Sequence, residues 1–194
     1  MAITATYRYI RPGTGIDGNT ITGVESFPRW ACVTFTVGMG SSSTARFVYF
    51  TPSVNVTVST IVTASGGTAA AATPTLCRVG LYTVASNGDL TLVARSANDT
   101  AMYASTQTEY AKALDTTGGY PSSYTLVAGQ RYAGGVLVVS GTTLPTMTGT
   151  SGLTSLLTRA PRIASAKTGE TDLAASYTTG SLTTSGSLFY FGMV

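Results

Sequence analysis

Apolar and polar residues alternate with a period of two along most of this chain, and the three-to-four-residue spacing of an amphipathic helix is nearly absent. Runs rich in β-branched and aromatic residues, each bounded by Gly, Ser or Pro, predict strands over residues 3–9, 31–37, 46–50, 54–63, 124–127, 131–139 and 187–194. Together with the hairpin described next, they make about ten short strands with turn signals roughly every 8–12 residues. This pattern predicts an all-β fold, an antiparallel, jelly-roll-like β-sandwich.

Residues 77–99, CRVGLYTVASNGDLTLVARSAND, carry the clearest local prediction. Asn87-Gly88 is favoured in a two-residue type I′ turn, because Asn and Gly tolerate the positive φ that both central positions need. The register that follows from this turn pairs Ala85 with Leu90, Thr83 with Leu92, and Leu81 with Ala94. It predicts that Tyr82 meets Val93 on one face of the hairpin and that the other face is apolar, formed by Val79, Leu81, Leu90, Leu92 and Ala94.

Two further segments carry turn or helix signals. Residues 124–127 and 131–139 are predicted to form a second hairpin across Ala128-Gly129-Gln130. Gly134-Gly135 within it indicates a bulge or a close backbone approach. Residues 151–158 are predicted to form a helical turn or two, which Pro161 ends.

The N-terminal part of the chain differs from the rest, because Pro, Gly and Asn are concentrated between residues 11 and 29. We predict a turn-rich N-terminal arm or attachment segment over residues 1–30. A single β-sandwich domain is predicted over residues 31–194, since no internal repeat or further boundary is evident.

Charge limits the partners that the sequence predicts. Only 10% of residues are charged, the net charge is +3, and the arginines are dispersed singly from Arg8 to Arg162. A nucleic-acid partner is not expected, because such proteins concentrate basic residues on one surface. Membrane insertion is not expected either, since the longest apolar stretch, residues 136–139, is far too short to cross a bilayer.

The compartment in which the chain folds is indicated by its N-terminus and its cysteines. The first ten residues lack the basic and apolar regions of a signal peptide. Cys32 and Cys77 are predicted to be buried free thiols, because a secreted disulfide framework would contain more cysteines. Both features favour folding in a reducing cytoplasm.

The residue types needed for common enzyme chemistry are scarce. The chain has no histidine, which removes Ser-His-Asp and Cys-His catalysis in their usual form and the commonest metal ligand. A glycosidase needs two facing carboxyl groups, whereas each of the eight carboxylates lies in or beside a predicted turn. We therefore predict a non-enzymatic protein with no catalytic, metal-binding or cofactor-binding residue. A glycan depolymerase is the enzymatic alternative.

Aromatic residues are the candidates for binding. The chain has one tryptophan and eleven tyrosines, and such rings stack on sugar faces and anchor protein interfaces. The candidates for glycan or subunit contacts are Trp30, Tyr103, Tyr110, Tyr120 and Tyr124. Packing in the core or between subunits is the alternative for the same residues.

Several stretches carry a resemblance to a known family: AAAATPTLCRVGLYTV, NGDLTLVARSANDT, YTLVAGQRYAGGVLVV, APRIASAKTG and LAASYTTGSL. They resemble minor tail and tail-fibre proteins of bacteriophages that infect actinobacteria. The resemblance covers residues 46–194 and is most specific over residues 68–140. It implies a β-sandwich domain on a virion, commonly a homotrimer, that binds host-envelope glycan or holds other virion proteins. It implies no catalytic residue.

The leading hypothesis is therefore a non-enzymatic virion structural protein, a tail or tail-fibre module for adhesion to host-surface glycan. The absence of a collagen-like or coiled-coil stalk raises an alternative, a capsid decoration protein that binds the head surface through residues 1–30. Under either hypothesis the chain is made in the host cytoplasm and assembled on the particle surface.

Overall fold

The structure, a computed structural model, describes residues 23–70, 74–140, 142–151 and 162–194. All strand pairings in this part of the chain are antiparallel. The strands are β1 Val24–Glu25, β2 Thr34–Gly38, β3 Thr44–Phe50, β4 Val56–Val58, β5 Thr60–Ala64, β6 Leu76–Val84, β7 Leu90–Arg95, β8 Glu109–Ala113, β9 Tyr124–Leu126, β10 Tyr132–Val139, β11 Thr146–Ser151, β12 Ala164–Thr168, β13 Ser176–Tyr177, β14 Thr183–Thr184, β15 Ser187–Phe189 and β16 Phe191–Met193. The predicted all-β antiparallel sandwich is confirmed.

These strands form four sheets. The largest, which we call the central sheet, has the order β13-β7-β6-β10-β3-β12-β14. The three smaller sheets have the orders β1-β16-β5-β8, β15-β11-β2 and β4-β9. In the middle of the central sheet, Gly134 of β10 lies opposite Leu81 of β6 on one side and Val48 of β3 on the other.

The central sheet is buried on both faces. Neighbouring residues of a strand point to opposite sides, and each side of this sheet belongs to a hydrophobic core. One face packs against the three smaller sheets in a first core, whose members include Val48, Val79, Val136, Leu126, Met147, Phe189 and Phe191. The other face forms a second core, in which residues from the segment 173–182 cover β3, β6 and β10. Its members include Phe47, Tyr82, Leu137, Leu173, Tyr177 and Leu182.

Part of the predicted N-terminal arm is joined to the sandwich. In β1, Val24 lies opposite Met193 of β16, and the backbone N–H of Ser26 donates to the carbonyl of Phe191 at 2.8 Å. Residues 1–22 of the arm and the predicted strand at residues 3–9 lie outside the described residues. So do the predicted helical turns at residues 151–158, apart from Ser151, which ends β11.

The hairpin of residues 77–99 forms, but its turn differs from the predicted one. The N–H of Gly88 donates to the carbonyl of Ala85 at 2.8 Å, and the N–H of Ala85 donates to the carbonyl of Asp89 at 2.9 Å. Gly88 has a φ of 88°, whereas Asn87 does not have a positive φ. This geometry is that of a three-residue loop ending in a left-handed glycine. The predicted type I′ turn is wrong.

The partners predicted for two leucines are wrong by one residue as a result. Leu90 pairs with Val84, and Leu92 pairs with Tyr82. A shift of one residue places a side chain on the opposite face of a sheet. Leu90 and Leu92 therefore pack beside Tyr82 in the second core.

A bulge in β7 restores the predicted register further from the turn. The register shifts between Leu81 and Tyr82 of β6, where Val93 is the extra residue of β7, and Leu81 again lies opposite Ala94 as predicted. Leu81 and Ala94 belong to the first core. The five residues predicted to form a single apolar face therefore lie on both sides of the central sheet.

The second predicted hairpin does not form. Strand β9 pairs with β4, where Tyr124 lies opposite Val58, and β10 pairs with β3 and β6 instead. A turn is present at the predicted place, because the N–H of Gln130 donates to the carbonyl of Val127 at 3.1 Å and Gly129 has a φ of 78°. This turn leads the chain from one sheet to another.

Gly134 and Gly135 lie in a regular stretch of β10, so the predicted bulge is wrong. A close approach is present, but aromatic rings make it rather than backbone. A Cβ on Gly134 would lie 2.4 Å from Cγ of Phe191, and a Cβ on Gly135 would lie 3.0 Å from ring atoms of Phe47 and Tyr82. The two glycines allow rings to pack directly on both faces of β10.

The predictions for two strands and for one cysteine are wrong in part. Residues 54–63 form β4 and β5, and residues 187–194 form β15 and β16, in each case strands of two different sheets. Both cysteines are free, and Cys77 is buried as predicted. Cys32 is only half-buried, because it follows the 3₁₀ turn Arg29–Ala31 instead of lying within a strand.

Candidate functional site

Two of the five aromatic residues predicted to make contacts pack against each other. The ring centroids of Tyr103 and Tyr110 are 5.2 Å apart. Tyr103 is fully buried, its hydroxyl is 2.9 Å from the hydroxyl of Thr63, and burial raises the pKa of Tyr103. The hydroxyl of the half-buried Tyr110 accepts the backbone N–H of Ser105 at 2.9 Å. Tyr103 therefore belongs to the core, and Tyr110 supports the adjoining loop.

Tyr120 and Tyr124 are each half-buried on other parts of the molecule. The guanidinium of Arg95 lies 4.8 Å from the ring centroid of Tyr120, and the ring of Tyr124 meets that of Tyr132 edge to face at 6.2 Å. Each tyrosine has part of its ring engaged by its own neighbour and part exposed.

Trp30 differs from the four tyrosines, because 72% of its surface is exposed. It lies in the 3₁₀ turn Arg29–Ala31, which two residues separate from the start of β2. Val33 and Phe35 follow it and are 76% and 48% exposed. We call Trp30, Val33 and Phe35 the apolar ridge.

Two features of β2 accompany the exposure of the ridge. The register against β11 shifts within β2: Val37 lies opposite Met147 and Thr34 opposite Gly149, so residues 35 and 36 together face the one residue between Met147 and Gly149. Among the described strands, β2 lies at the edge of its sheet, beside β11. The described residues bury Val37 in the first core and leave Val33 and Phe35 exposed.

The backbone beneath the ridge is fixed on its inner side. The carbonyl of Phe35 accepts the N–H of Gly67 at 2.7 Å and the hydroxyl of Thr146 at 2.9 Å. The hydroxyls of Thr34 and Thr36, the residues before and after Phe35, are 2.7 Å apart. Phe35 is thus held on a hydrogen-bonded strand, whereas Trp30 and Val33 lie before the start of β2.

The carboxylates in predicted turns bond to local groups. Asp89 accepts the N–H of Thr179 at 2.7 Å and the side-chain amide of Asn87 at 2.8 Å, and these bonds lower the pKa of Asp89. Asp99 forms an ion pair with Lys112, which lowers the pKa of Asp99. Both groups are held ionised by partners of the kind expected at turns and surface ion pairs.

A larger charged group joins the central sheet to the segment that covers its second core. Asp172 forms an ion pair with Arg78 and lies 3.6 Å from a guanidinium nitrogen of Arg95. Arg78 is almost fully buried. Because the carboxylate is shared by two cations, this group serves to anchor the covering segment.

Sequence reasoning placed Trp30 among the contact residues but missed Val33 and Phe35. The alternating run VTFTV of residues 33–37 has the pattern of a core-facing strand. The edge position of β2 and the register shift between Thr34 and Val37 leave the first part of the run uncovered, and the alternating pattern signals neither.

Comparison with known proteins adds no assignment, because no family model and no curated protein matches the chain. Within the described ranges, no cluster of three or more His, Cys, Asp or Glu residues is placed to hold a metal ion. No helix in that part of the chain has the length and apolar character needed to span a membrane.

Proposed function

We propose that this chain is a non-enzymatic structural protein of a bacteriophage particle, of the tail or tail-fibre type, and that it adheres to glycan on the host surface. The observation that carries the proposal is the apolar ridge, which presents two exposed aromatic rings, Trp30 and Phe35, beside a strand edge that no other described strand pairs with. Single exposed apolar residues are common on protein surfaces, whereas a group of them is typical of a contact surface.

The chemistry of the ridge suits a sugar. An aromatic ring offers a flat apolar face against the C–H groups of a sugar, and it loses little conformational freedom on binding. The hydrogen-bonded backbone of β2 holds Phe35 in place before any ligand arrives, which lowers the entropy cost of binding.

The resemblance of residues 68–140 to phage tail proteins supports the virion assignment. It also supports a homotrimer with other virion proteins as partners. A surface with few charges and many hydroxyl groups suits a chain that works within an assembly.

A capsid decoration protein is the second candidate, and the edge of β2, which no further described strand pairs with, favours it. An open edge with exposed apolar side chains can pair with a strand of another protein. In that case the ridge would bind a neighbouring virion protein, and no glycan would be needed.

The adhesion proposal can be tested through the single tryptophan of the chain. When purified envelope glycan of the host is added, Trp30 fluorescence is expected to shift to shorter wavelength and to resist acrylamide quenching, because the ligand displaces water from the indole. Binding to isolated envelopes, measured by co-sedimentation, is expected to weaken about tenfold or more for Trp30→Ala and for Phe35→Ala.

Val127→Ala is the matched control, because Val127 is apolar, 51% exposed and lies after β9. It should bind envelopes as the unchanged protein does. Tyr120→Ala and Tyr124→Ala test the half-buried tyrosines, and a larger loss from either than from Trp30→Ala would contradict the role of the ridge. Absence of binding at high micromolar protein would contradict adhesion.

Labelling of intact particles with a gold-conjugated antibody separates the two candidates. Label at the tail supports the first. Many labels on the head, lost when residues 1–30 are deleted, would support decoration instead. Release of reducing ends from envelope polysaccharide would contradict the non-enzymatic assignment.

A further inference from the structure

An open cleft of about 450 Å³ lies between two loops, residues 38–42 and residues 142–146. Its lining consists mainly of small and hydroxyl-bearing residues: Gly38, Gly40, Ser41, Ser42, Thr142, Thr143 and Thr146. Some of these hydroxyls are already engaged. Ser42, for example, accepts the backbone N–H of Ser140 at 3.1 Å.

Arg46 of β3 lies directly behind this lining. A Cβ on Gly40 would be only 2.7 Å from Nη2 of Arg46, so the guanidinium lies against the backbone of the loop. Gly40 has a φ of 82°, a conformation that glycine adopts without strain. The loop can therefore pass this close to the guanidinium only because residue 40 has no side chain.

The charge of Arg46 is not balanced within the described part of the chain. Each described ion pair involves other residues, and among the described residues the guanidinium donates to the neutral hydroxyl of Ser185, at 2.9 Å. Nε of Arg46 is buried and has no hydrogen-bond partner in that part of the chain. Burial lowers the pKa of Arg46, as expected of a desolvated cation that no anion stabilises.

Backbone donors of the loop are also free. The N–H groups of Gly40, Ser41 and Ser42 donate to no other described residue. Consecutive free N–H groups in a loop that contains a left-handed residue can bind an anion together. The positive charge of the guanidinium, close behind this loop, adds attraction for a phosphate or sulfate group.

We propose that this cleft, with Arg46 behind its wall at Gly40, is a binding site for an oxyanion, a phosphate or sulfate group carried by a polymer such as an acidic glycan. The N–H groups of residues 40–42 supply the donors, the charge of Arg46 behind them attracts the anion, and the open mouth leaves room for the polymer chain. The site is formed by residues distinct from the apolar ridge, so it does not depend on the proposed adhesion through Trp30.

Inorganic phosphate is the first probe. In ¹H–¹⁵N spectra of the ¹⁵N-labelled protein, phosphate titrated at constant ionic strength should shift the amide signals of Gly40, Ser41 and Ser42. Sulfate should shift the same signals, whereas acetate should shift them less, because a carboxylate has fewer oxygens to share. Shifts confined to other positions, or no shifts at 50 mM phosphate, would overturn the proposal. A single set of charge-assisted contacts is expected to bind phosphate with a dissociation constant of roughly this concentration or lower.

Arg46→Gln is expected to weaken phosphate binding by about tenfold or more, since it removes the charge that binds the oxyanion. Arg131→Gln is the matched control, because Arg131 is also a half-buried arginine whose pKa is lowered by burial. It lies at the other end of the central strands, where its guanidinium is 5.1 Å from the ring centroid of Tyr49.

The control variant should bind phosphate as the unchanged protein does, and equal losses in both variants would overturn the site. If Arg46→Gln fails to fold, Arg46→Lys keeps the charge behind the loop. Arg46→Lys should then bind phosphate within a few-fold of the unchanged protein and shift the same three amides. A loss of about tenfold or more in a folded Arg46→Lys would contradict the role of this charge.

Discussion

The ring of Phe191 lies across the Cα of Gly134, so that a Cβ there would be 2.4 Å from Cγ of the ring. This contact joins β16, close to the end of the chain, to β10 in the middle of the central sheet. Phe191 is fully buried, and its ring centroid is 6.1 Å from that of Phe50. The ring therefore has little room to move away.

Gly134→Ala should destabilise the fold by about 1–3 kcal/mol, because the added methyl group overpacks the first core. Urea unfolding followed by circular dichroism measures the loss. Gly180→Ala is the control, because no atom lies within 4 Å of the Cβ position of Gly180, and its stability should stay close to that of the unchanged protein. Equal stability of the two variants would mean that the ring of Phe191 does not pack on Gly134.

Strand alternation predicted the interior of the central sheet where the strands are regular. In β6 and β10 the alternate residues enter the two cores as a period of two requires, and the pairing of Leu81 with Ala94 is correct. The failure occurs near the turn. Because both faces of the central sheet are apolar, the hydrophobic pattern of β7 fits either register, and the bulge at Val93 leaves no signal in the sequence.

Pairing between strands that are distant in the sequence could not be predicted either. Strands β9 and β10 are separated by a short turn, and such neighbours often form a hairpin. Here β9 pairs with β4 instead, and the hydroxyls of Thr57 and Thr125 are 2.9 Å apart across this pair. The choice depends on which sheet has an unpaired strand, and local sequence does not contain that information.

The candidate site was predictable only in part. Trp30 could be named because tryptophan is rare and often lies at interfaces. Tyr103 and Tyr110 are close in the sequence, and their rings are in contact. The burial of Tyr103 could not be predicted, because it depends on how the loop around residue 103 folds back over β5. Arg46 resembles any other dispersed arginine until the loop at Gly40 is placed against it.

The turn at Gly88 predicts a graded response to substitution. Gly88 has a φ of 88°, and a Cβ there would lie 2.8 Å from Oγ1 of Thr179. Gly88→Ala should therefore destabilise the fold by about 1–2 kcal/mol through left-handed strain, besides the contact with Thr179. Asn tolerates this conformation better than Ala, so Gly88→Asn should cost less when both are compared by urea unfolding. The opposite order would contradict the three-residue loop.

Tyr177 predicts how stability falls at alkaline pH. It is buried beside Phe47, with ring centroids 5.1 Å apart, and burial raises its pKa to about 12. In the unfolded chain the pKa of a tyrosine is about 10. The folded state therefore keeps the proton over a range in which the unfolded state releases it. Consequently the contribution to stability is complete below about pH 10 and is lost as the pH rises towards 12.

The test is the free energy of unfolding in urea measured between pH 8 and pH 11, a range in which unfolded tyrosines begin to ionise. The unchanged protein should lose stability above about pH 10. In Tyr177→Phe this decline should be shallower, because one titrating group is gone. Tyr82, Tyr103 and Tyr190, whose pKa values are also raised by burial, should maintain the remaining slope.

Tyr177→Phe also loses the hydroxyl that accepts the N–H of Ala174 at 3.0 Å, so its stability at pH 8 should be lower. The slope between pH 10 and pH 11 is therefore the quantity to compare, and identical slopes in the two proteins would show that Tyr177 does not retain its proton in the fold.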